Sequence, residues 1–328
     1  MQQKKFLVIQ TAFIGDAILA TALLEKLHSF YPDAQIDYLV RKGNEGLLED
    51  HPFISNLLIL DKKQKYKNFW SLLKEIRKMN YDVVINPHRF AMTGLLTGLS
   101  KATQRIGFRQ NPFSWLYTQK FEHKIGTTLP TMHEVERNQL LIAALTDKKA
   151  AKPRLYPLPK HLQGVPKETS YICIAPSSVW FTKQWPVHKW IELIHRLDEH
   201  LNIYLIGGPG DRELCEQILK QVGHPNVQNK AGQLSFLESA AWIGGATMNY
   251  TNDSGPLHIA SAMDAPITAV FCSTVPAFGF TPLSTQSKVV QSSKQLDCRP
   301  CGLHGKKACP KGHFNCAEID IKQLLDIT

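Results

Sequence analysis

Apolar and polar positions alternate along this chain in two rhythms. Short, almost unbroken apolar runs, "FLVIQ" (6–10), "QIDYLV" (35–40), "NLLIL" (56–60) and "YDVVINP" (81–87), read as strands, the first of them buried. Between them, "DAILATALLEKLHSFY" (16–31) and "FWSLLKEIRKMN" (69–80) carry apolar residues at helical spacing. The first of these helices stops before Pro32, and the fourth strand ends at Pro87. A β-α-β-α rhythm of this kind predicts a parallel sheet with helices on both faces.

From 147 to 170 the rhythm fails: "DKKAAKPRLYPLPKHLQGVPKETS" is rich in proline and lysine and has no periodicity, which suits an interdomain connection. The alternation then restarts. Strands are expected at "YICIAP" (171–176), "NIYLIGGPGD" (202–211, ending in a glycine-rich turn), "TMNYTND" (247–253) and "PITAVF" (266–271). Helices are expected at "WIELIHRLDEHL" (190–201), "LSFLESAAWIGGA" (234–246) and "PLHIASAM" (256–263). The pattern therefore predicts two similar α/β domains, residues 1–160 and 161–328.

Composition adds a bias in charge. The 328 residues are 43% hydrophobic and 20% charged, enough for two ordinary cores, and the formal net charge is +10. That favours an anionic partner: nucleic acid, an acidic membrane surface or a phosphorylated substrate. The start, "MQQKK" followed by "FLVIQTAFIGDAILATALL", has the basic and apolar character of a signal peptide. Gln10, Gly15 and Asp16 interrupt the run, and a carboxylate at mid-bilayer costs about 2.5–3.5 kcal/mol on insertion scales. A cytoplasmic strand–loop–helix unit is the better reading. No other segment is long and apolar enough to span a bilayer.

In open parallel sheets, ligands bind where strand carboxyl ends feed loops and helix N-termini. Four loops there carry chemistry. In "QTAFIGDAIL", Asp16 reads either as a helix cap or as a general base at the sheet edge, and the single Gly15 excludes a dinucleotide fingerprint. In "APSSVWFTKQWP", Ser177, Ser178 and Lys183 offer hydroxyls and a compact cation to a phosphate, although a surface loop accounts for them equally well. In "IGGPGD", the glycines around Gly208 allow a ligand close to the backbone, as would an ordinary turn. In "TNDSGPLHIASA", Gly255 and Pro256 open a helix whose free N–H groups attract an anion, and His258 lies one turn in. Asp253 would repel phosphate, so it suits sugar hydroxyls instead. Acid and anion site together point to a nucleotide sugar.

"GDAILATALL", "APSSVWFTKQWP", "IGGPGD", "AGQLSFLESAAWI" and "NDSGPLHIASAMDAPITAVFCST" followed by "TPL" run in this order across nearly the whole chain. In these segments the chain resembles glycosyltransferase family nine, the bacterial heptosyltransferases of the lipopolysaccharide inner core, and its tail resembles the family's type II members. The resemblance implies a GT-B architecture, two Rossmann-like domains facing across a cleft, with acceptor bound mainly by the first and donor by the second. It implies inverting transfer from ADP-L-glycero-D-manno-heptose without a catalytic metal. Carried onto this sequence, Asp16 becomes the base, and Ser177, Ser178 and Lys183 the diphosphate site. Asp253, Ser254, Gly255 and His258 become the site for donor sugar and phosphates, and Leu234 a wall for adenine. Arg105 and Arg109, with the basic run "DKKQKYK" (61–67), are candidates for an acidic acceptor or for peripheral contact with the inner membrane leaflet; a solvated face is the common alternative.

Seven cysteines complete the reading. Cys173, Cys215 and Cys272 lie in apolar segments and are expected as buried thiols. Cys298, Cys301, Cys309 and Cys316, with His304 and His313 among them, are candidates for a structural zinc site, and free thiols are the alternative. Two rival functions remain: a nucleotide-sugar epimerase on the same fold, which would turn over donor without acceptor, and a basic zinc-dependent nucleic-acid binder, which leaves "NDSGPLH" unexplained. The sequence favours the transferase, with no nucleic-acid partner; a same-family enzyme using another nucleotide sugar is its nearest alternative.

Overall fold

The first apolar run becomes the centre of a sheet because nothing in it tolerates water: Phe6, Leu7, Val8 and Ile9 are all fully buried. The computed structural model describes residues 3–167 and 169–325, apart from the side chains of Lys65 and Tyr66. The chain divides into two units, Met1–Ile125 with Met132–Tyr156, and Pro157–Thr328 with the short piece Gly126–Thr131.

In the first unit the elements run β1 (Lys5–Gln10), α1 (Ile14–Phe30), β2 (Gln35–Arg41), β3 (Asn56–Leu60), α2 (Lys65–Met79), β4 (Val83–Asn86), α3 (Ala91–Gly98), β5 (Gln104–Phe108), β6 (Gln119–Phe121) and α4 (Glu134–Gln139). The strands form one parallel sheet in the order β3-β2-β1-β4-β5-β6. Val8 of β1 sits opposite Tyr38 on one side and Ile85 on the other, so the central strand has to be apolar on both faces. Helix α2 shows how the pattern sets an element: Phe69, Leu72, Leu73 and Ile76 are buried along one stripe. It ends at Asn80, which takes the left-handed conformation (φ 51°) that asparagine tolerates.

The second unit runs β7 (Tyr171–Ala175), α5 (Val187–Arg196), β8 (Asn202–Leu205), α6 (Arg212–Val222), β9 (Val227–Asn229), α7 (Phe236–Gly245), β10 (Met248–Asn252), α8 (Gly255–Ala262), β11 (Ile267–Phe271), β12 (Ser287–Gln291) and α9 (Lys322–Leu325). Its parallel sheet has the order β12-β11-β10-β7-β8-β9. Renumbered from its own first strand, that is the order 3-2-1-4-5-6 of the first unit. Each sheet therefore has a switch point between its first and fourth strands, where chain winding reverses and a crevice opens at the carboxyl edge. The core of this unit is built around Trp185 and Trp190, whose rings meet edge to face at 5.0 Å.

Helix α5 ends at Arg196, five residues short of the sequence expectation. Asp198 is the reason: its Oδ1 accepts from the His200 N–H at 2.9 Å, forming a local turn that competes with helix.

Candidate functional site

At the switch point of the second unit, the loop after β7 is fixed by a residue at the end of β10. Asn252 is fully buried; its amide Nδ2 donates to the Pro176 carbonyl at 2.7 Å, and its Oδ1 accepts from the Trp185 N–H at 2.9 Å. Both ends of the Pro176–Trp185 segment are thus tied to β10, and Lys183 between them is aimed at the next residue along. Lys183 Nζ lies 2.7 Å from Asp253 Oδ2, and the Thr274 hydroxyl donates to the same oxygen at 2.7 Å. Asp253 is 5% exposed. A pair so far removed from water is held by its geometry, because losing one partner would strand the other charge.

Beside this pair begins α8. Its N-cap is Ser254, whose side chain makes no capping hydrogen bond, and Gly255 and Pro256 form the first turn. The helix start therefore keeps its partial positive charge next to Lys183's loop. His258 is buried one turn in.

Ser177 is engaged differently. Its hydroxyl donates to Asp211 Oδ1 at 2.5 Å, and Asp211 Oδ2 accepts from the Gly208 N–H at 2.8 Å, so a carboxylate joins the loops after β7 and β8. Ser178 shapes its own loop: its hydroxyl oxygen faces the Trp180 N–H at 3.4 Å, and its carbonyl accepts from Gln184 Nε2 at 2.6 Å. Leu234, half-buried, immediately precedes Ser235, the N-cap of α7. Its loop touches the Gly208 loop through the Gly232 N–H and the Gly207 carbonyl, 2.9 Å apart. Only glycine fits at 232, where φ is +73° and an added Cβ would stand 2.9 Å from Pro209 Cα.

The cysteine-bearing tail lies over this edge. Thr182 Oγ1 accepts from the Lys306 N–H at 2.8 Å and shares a 3.0 Å hydrogen bond with Ser273 Oγ. A Cβ on Gly305 would stand 3.0 Å from Lys183 Cγ. Arg299 donates through Nη2 to the Thr274 carbonyl at 2.7 Å and to Gln291 Oε1 at 2.8 Å, which fixes the bend that presents the Thr274 hydroxyl.

The candidate zinc ligands Cys298, Cys301, Cys309 and Cys316 are free thiols with no disulfide among them. Among the described residues no group of three or more His, Cys, Asp or Glu side chains is placed to hold a metal ion. Cys316 is buried among core side chains, while Cys298 Sγ faces His313 Nε2 at 3.9 Å. Beyond Arg299, the tail meets the Lys183 loop through Phe314, whose ring lies 5.2 Å from that of Phe181, and through the Ala317 carbonyl, which accepts from Trp185 Nε1 at 3.1 Å. The other three cysteines are buried thiols, as expected, and burial pushes Cys215 up to about 12.

The first unit's switch point is furnished otherwise. Asp16 stands in the first turn of α1, half-exposed; the N-cap itself is Phe13, with no side-chain cap, so Asp16 is not the capping residue. His88, following β4, is 6% exposed, and its Nδ1 lies 3.2 Å from Thr11 Oγ1 and 3.1 Å from Thr93 Oγ1. Burial, reinforced by the charges of Lys62 and Arg89, lowers His88 to about 3, so the imidazole is neutral. Lys62 Nζ donates to the Thr11 carbonyl at 2.8 Å.

The two arginines proposed for an acceptor separate. Arg109 follows β5 at the carboxyl edge, 59% exposed in its side chain and 3.7 Å from Glu122. The Arg105 guanidinium donates through Nε to the Leu116 carbonyl (3.1 Å) and through Nη1 to the Ala102 carbonyl (2.6 Å), which ties it to the chain near the start of β5.

Sequence reasoning missed Asn252, Thr274, Asp211 and Arg299 as parts of the site. Asn252, Thr274 and Asp211 did lie inside the motifs "TNDSGPLHIASA", "FCST" and "IGGPGD". Arg299 carried no local signal, because its role depends on a strand end twenty-five residues earlier.

Residues 69–311 match the model of glycosyltransferase family 9 (heptosyltransferase). The chain is 28% identical over 280 residues to lipopolysaccharide heptosyltransferase 3 of Escherichia coli K12, covering 79% of this chain and 80% of that protein. Among solved structures it resembles the family 9 glycosyltransferase of Veillonella parvula (TM-score 0.76, 22% identity, 87% of this chain and 85% of that one). It also resembles E. coli ADP-heptose lps heptosyltransferase II (TM-score 0.75, 22% identity, 90% and 95%).

Proposed function

The chain belongs to glycosyltransferase family 9 and is a glycosyltransferase, and from that premise we propose that it moves heptose from ADP-L-glycero-D-manno-heptose to the inner core of a lipopolysaccharide precursor. One observation carries the donor assignment: Lys183, Asp253 and Thr274 converge at a switch point beside the uncapped start of α8. An ammonium has three protons to donate, so Lys183 can hold Asp253 and a phosphate oxygen together. Asp253 keeps an acceptor oxygen for sugar hydroxyls, and the relatives' heptosyltransferase names support the sugar.

In this reading an acceptor hydroxyl attacks the anomeric carbon, its proton passes to Asp16, and the bond to the diphosphate oxygen breaks with inversion. A carboxylate is a weak base for an alcohol, so the proton moves late. The leaving ADP gains negative charge, which Lys183 and the α8 N-terminus are poised to stabilise. That charge stabilisation assigns no step to a metal. The acceptor is anionic and amphiphilic, and a protein working on it in the cytoplasm would meet it at the inner leaflet.

The test is transfer from ADP-heptose to a truncated inner-core acceptor, with other nucleotide sugars in parallel. Heptose appearing on the acceptor, with donor consumption dependent on acceptor, supports the reading. Donor turnover without acceptor would favour an epimerase, and transfer only from another nucleotide sugar would leave the transferase but remove the heptose.

A further inference from the structure

Helix α2 has a second face that the donor and acceptor chemistry does not use. While Phe69, Leu72, Leu73 and Ile76 point into the core, Lys67, Trp70, Lys74, Arg77 and Lys78 are all exposed. At about 100° of turn per residue these five occupy a sector roughly 100° wide, its centre about 140° around the helix from that of the buried stripe. Trp70 is 64% exposed, in the middle of the cations. Lys63 continues the basic character into the preceding turn. Glu75 lies at the margin, and no carboxylate pairs with Lys67, Lys74 or Lys78 among the described residues. Arg77 is partly committed, since its Nε donates to the Leu99 carbonyl at 2.7 Å.

We infer that this face of α2 docks the protein reversibly on an anionic lipid bilayer. Three features select that partner. An indole ring amid ammonium groups matches the headgroup layer, where tryptophan settles at the interface and lysine meets anionic phosphate. A protein interface depletes lysine from its centre, whereas lysines surround Trp70 here. A single-stranded nucleic acid would want a groove with several stacking rings, and a convex helix with one ring provides neither. No helix among the described residues is long and apolar enough to cross a membrane, so attachment through this face is peripheral. Each lysine near a charged leaflet contributes about a five-fold gain in partitioning, so Lys67, Lys74 and Lys78 together give roughly a hundred-fold preference for anionic over neutral vesicles. The inference stands on the helix face alone and does not depend on the identity of the sugar transferred.

The experiment is sedimentation of the full chain with vesicles of phosphatidylcholine, with or without phosphatidylglycerol, in the absence of donor and acceptor. Binding to the anionic vesicles alone is expected, weakening with salt. Lys67→Ala/Lys74→Ala should lower it roughly twenty-five-fold, and native emission minus that of Trp70→Phe should move to the blue on binding. These are exposed substitutions, and unchanged thermal unfolding would show that the variants are folded. Equal binding by the double variant, no binding to anionic vesicles, or binding to a single-stranded oligonucleotide in preference to vesicles through the same lysines would each overturn the inference.

Discussion

The two units share one topology and differ at the same address within it. Both sheets run 3-2-1-4-5-6, and both place their switch point between the first and fourth strands. In the second unit that edge is cationic and fixed, with Lys183 locked on Asp253, Thr274 behind it and the tail laid over the loop. In the first unit it holds a carboxylate in the first turn of α1, with a neutral histidine between two threonine hydroxyls nearby. Topology fixes where chemistry can happen, and a handful of loop residues fix which chemistry it is. On the function proposed above, one edge holds a diphosphate and the other accepts a proton.

The comparison can be broken most forcefully at Lys183. Lys183→Met should weaken ADP or ADP-heptose binding by about 10²–10³-fold in calorimetry, because it removes the cation and leaves Asp253 buried without it. Binding within a few-fold of native would mean that the donor sits elsewhere.

The next effect concerns stability and lies in the first unit. Burial would raise the Glu134 carboxyl, but the hydrogen bond and charge of His123, with Arg137, outweigh it and hold the group below the usual range. Its contribution is therefore present above the ordinary carboxylate pKa and lost as pH falls through the lower folded value. Glu134→Gln should cost about 3 kcal/mol in denaturant unfolding, since it breaks a buried ion pair on one side only. Burial also keeps His51 and His88 neutral, lowering them to about 4 and about 3. The unfolded chain takes up those protons first, so stability falls from about pH 6.5 downward. Hydrogen exchange followed against pH should show first-unit peptides losing protection before second-unit ones; the reverse order would contradict this assignment of the acid-sensitive groups.

The smallest effect sharpens the comparison at a helix start. Helix α7 carries a capping box: the Glu238 N–H donates to Ser235 Oγ at 3.3 Å, and the Ser235 N–H donates to Glu238 Oε2 at 2.7 Å. Ser235→Ala should lower stability by about 1 kcal/mol. Helix α8, whose Ser254 makes no such cap, should lose far less on Ser254→Ala, and a loss as large as that at Ser235 would show that Ser254 is a structural cap.

How much of this could be read in advance follows from what each residue depends on. Strands such as Tyr171–Ala175 were legible because burial on both faces leaves an unbroken apolar run. Edge strands such as Gln119–Phe121 and Ser287–Gln291 were not, being short and half polar, and α6 went unread although Cys215, Ile218 and Val222 keep a helical spacing. The site showed the same divide. Lys183 and Asp253 were found because each lies in a loop after a strand, Asp253 beside Ser254 and Lys183 in the loop opened by Ser177 and Ser178. Their direct pairing was not, since it depends on Asn252 tying two loops seventy-six residues apart in sequence. The backbone contacts of Arg105 were not legible either, because a positive charge in sequence does not reveal that carbonyls will engage it.

The division of labour between the two edges is tested most directly by Asp16→Asn, measuring donor affinity by calorimetry and single-turnover transfer of the sugar on the same preparation. The expected result is native affinity for ADP-heptose with transfer slowed by about 10²–10⁴-fold. Transfer at the native rate, or a loss of donor binding equal to the loss of rate, would contradict it.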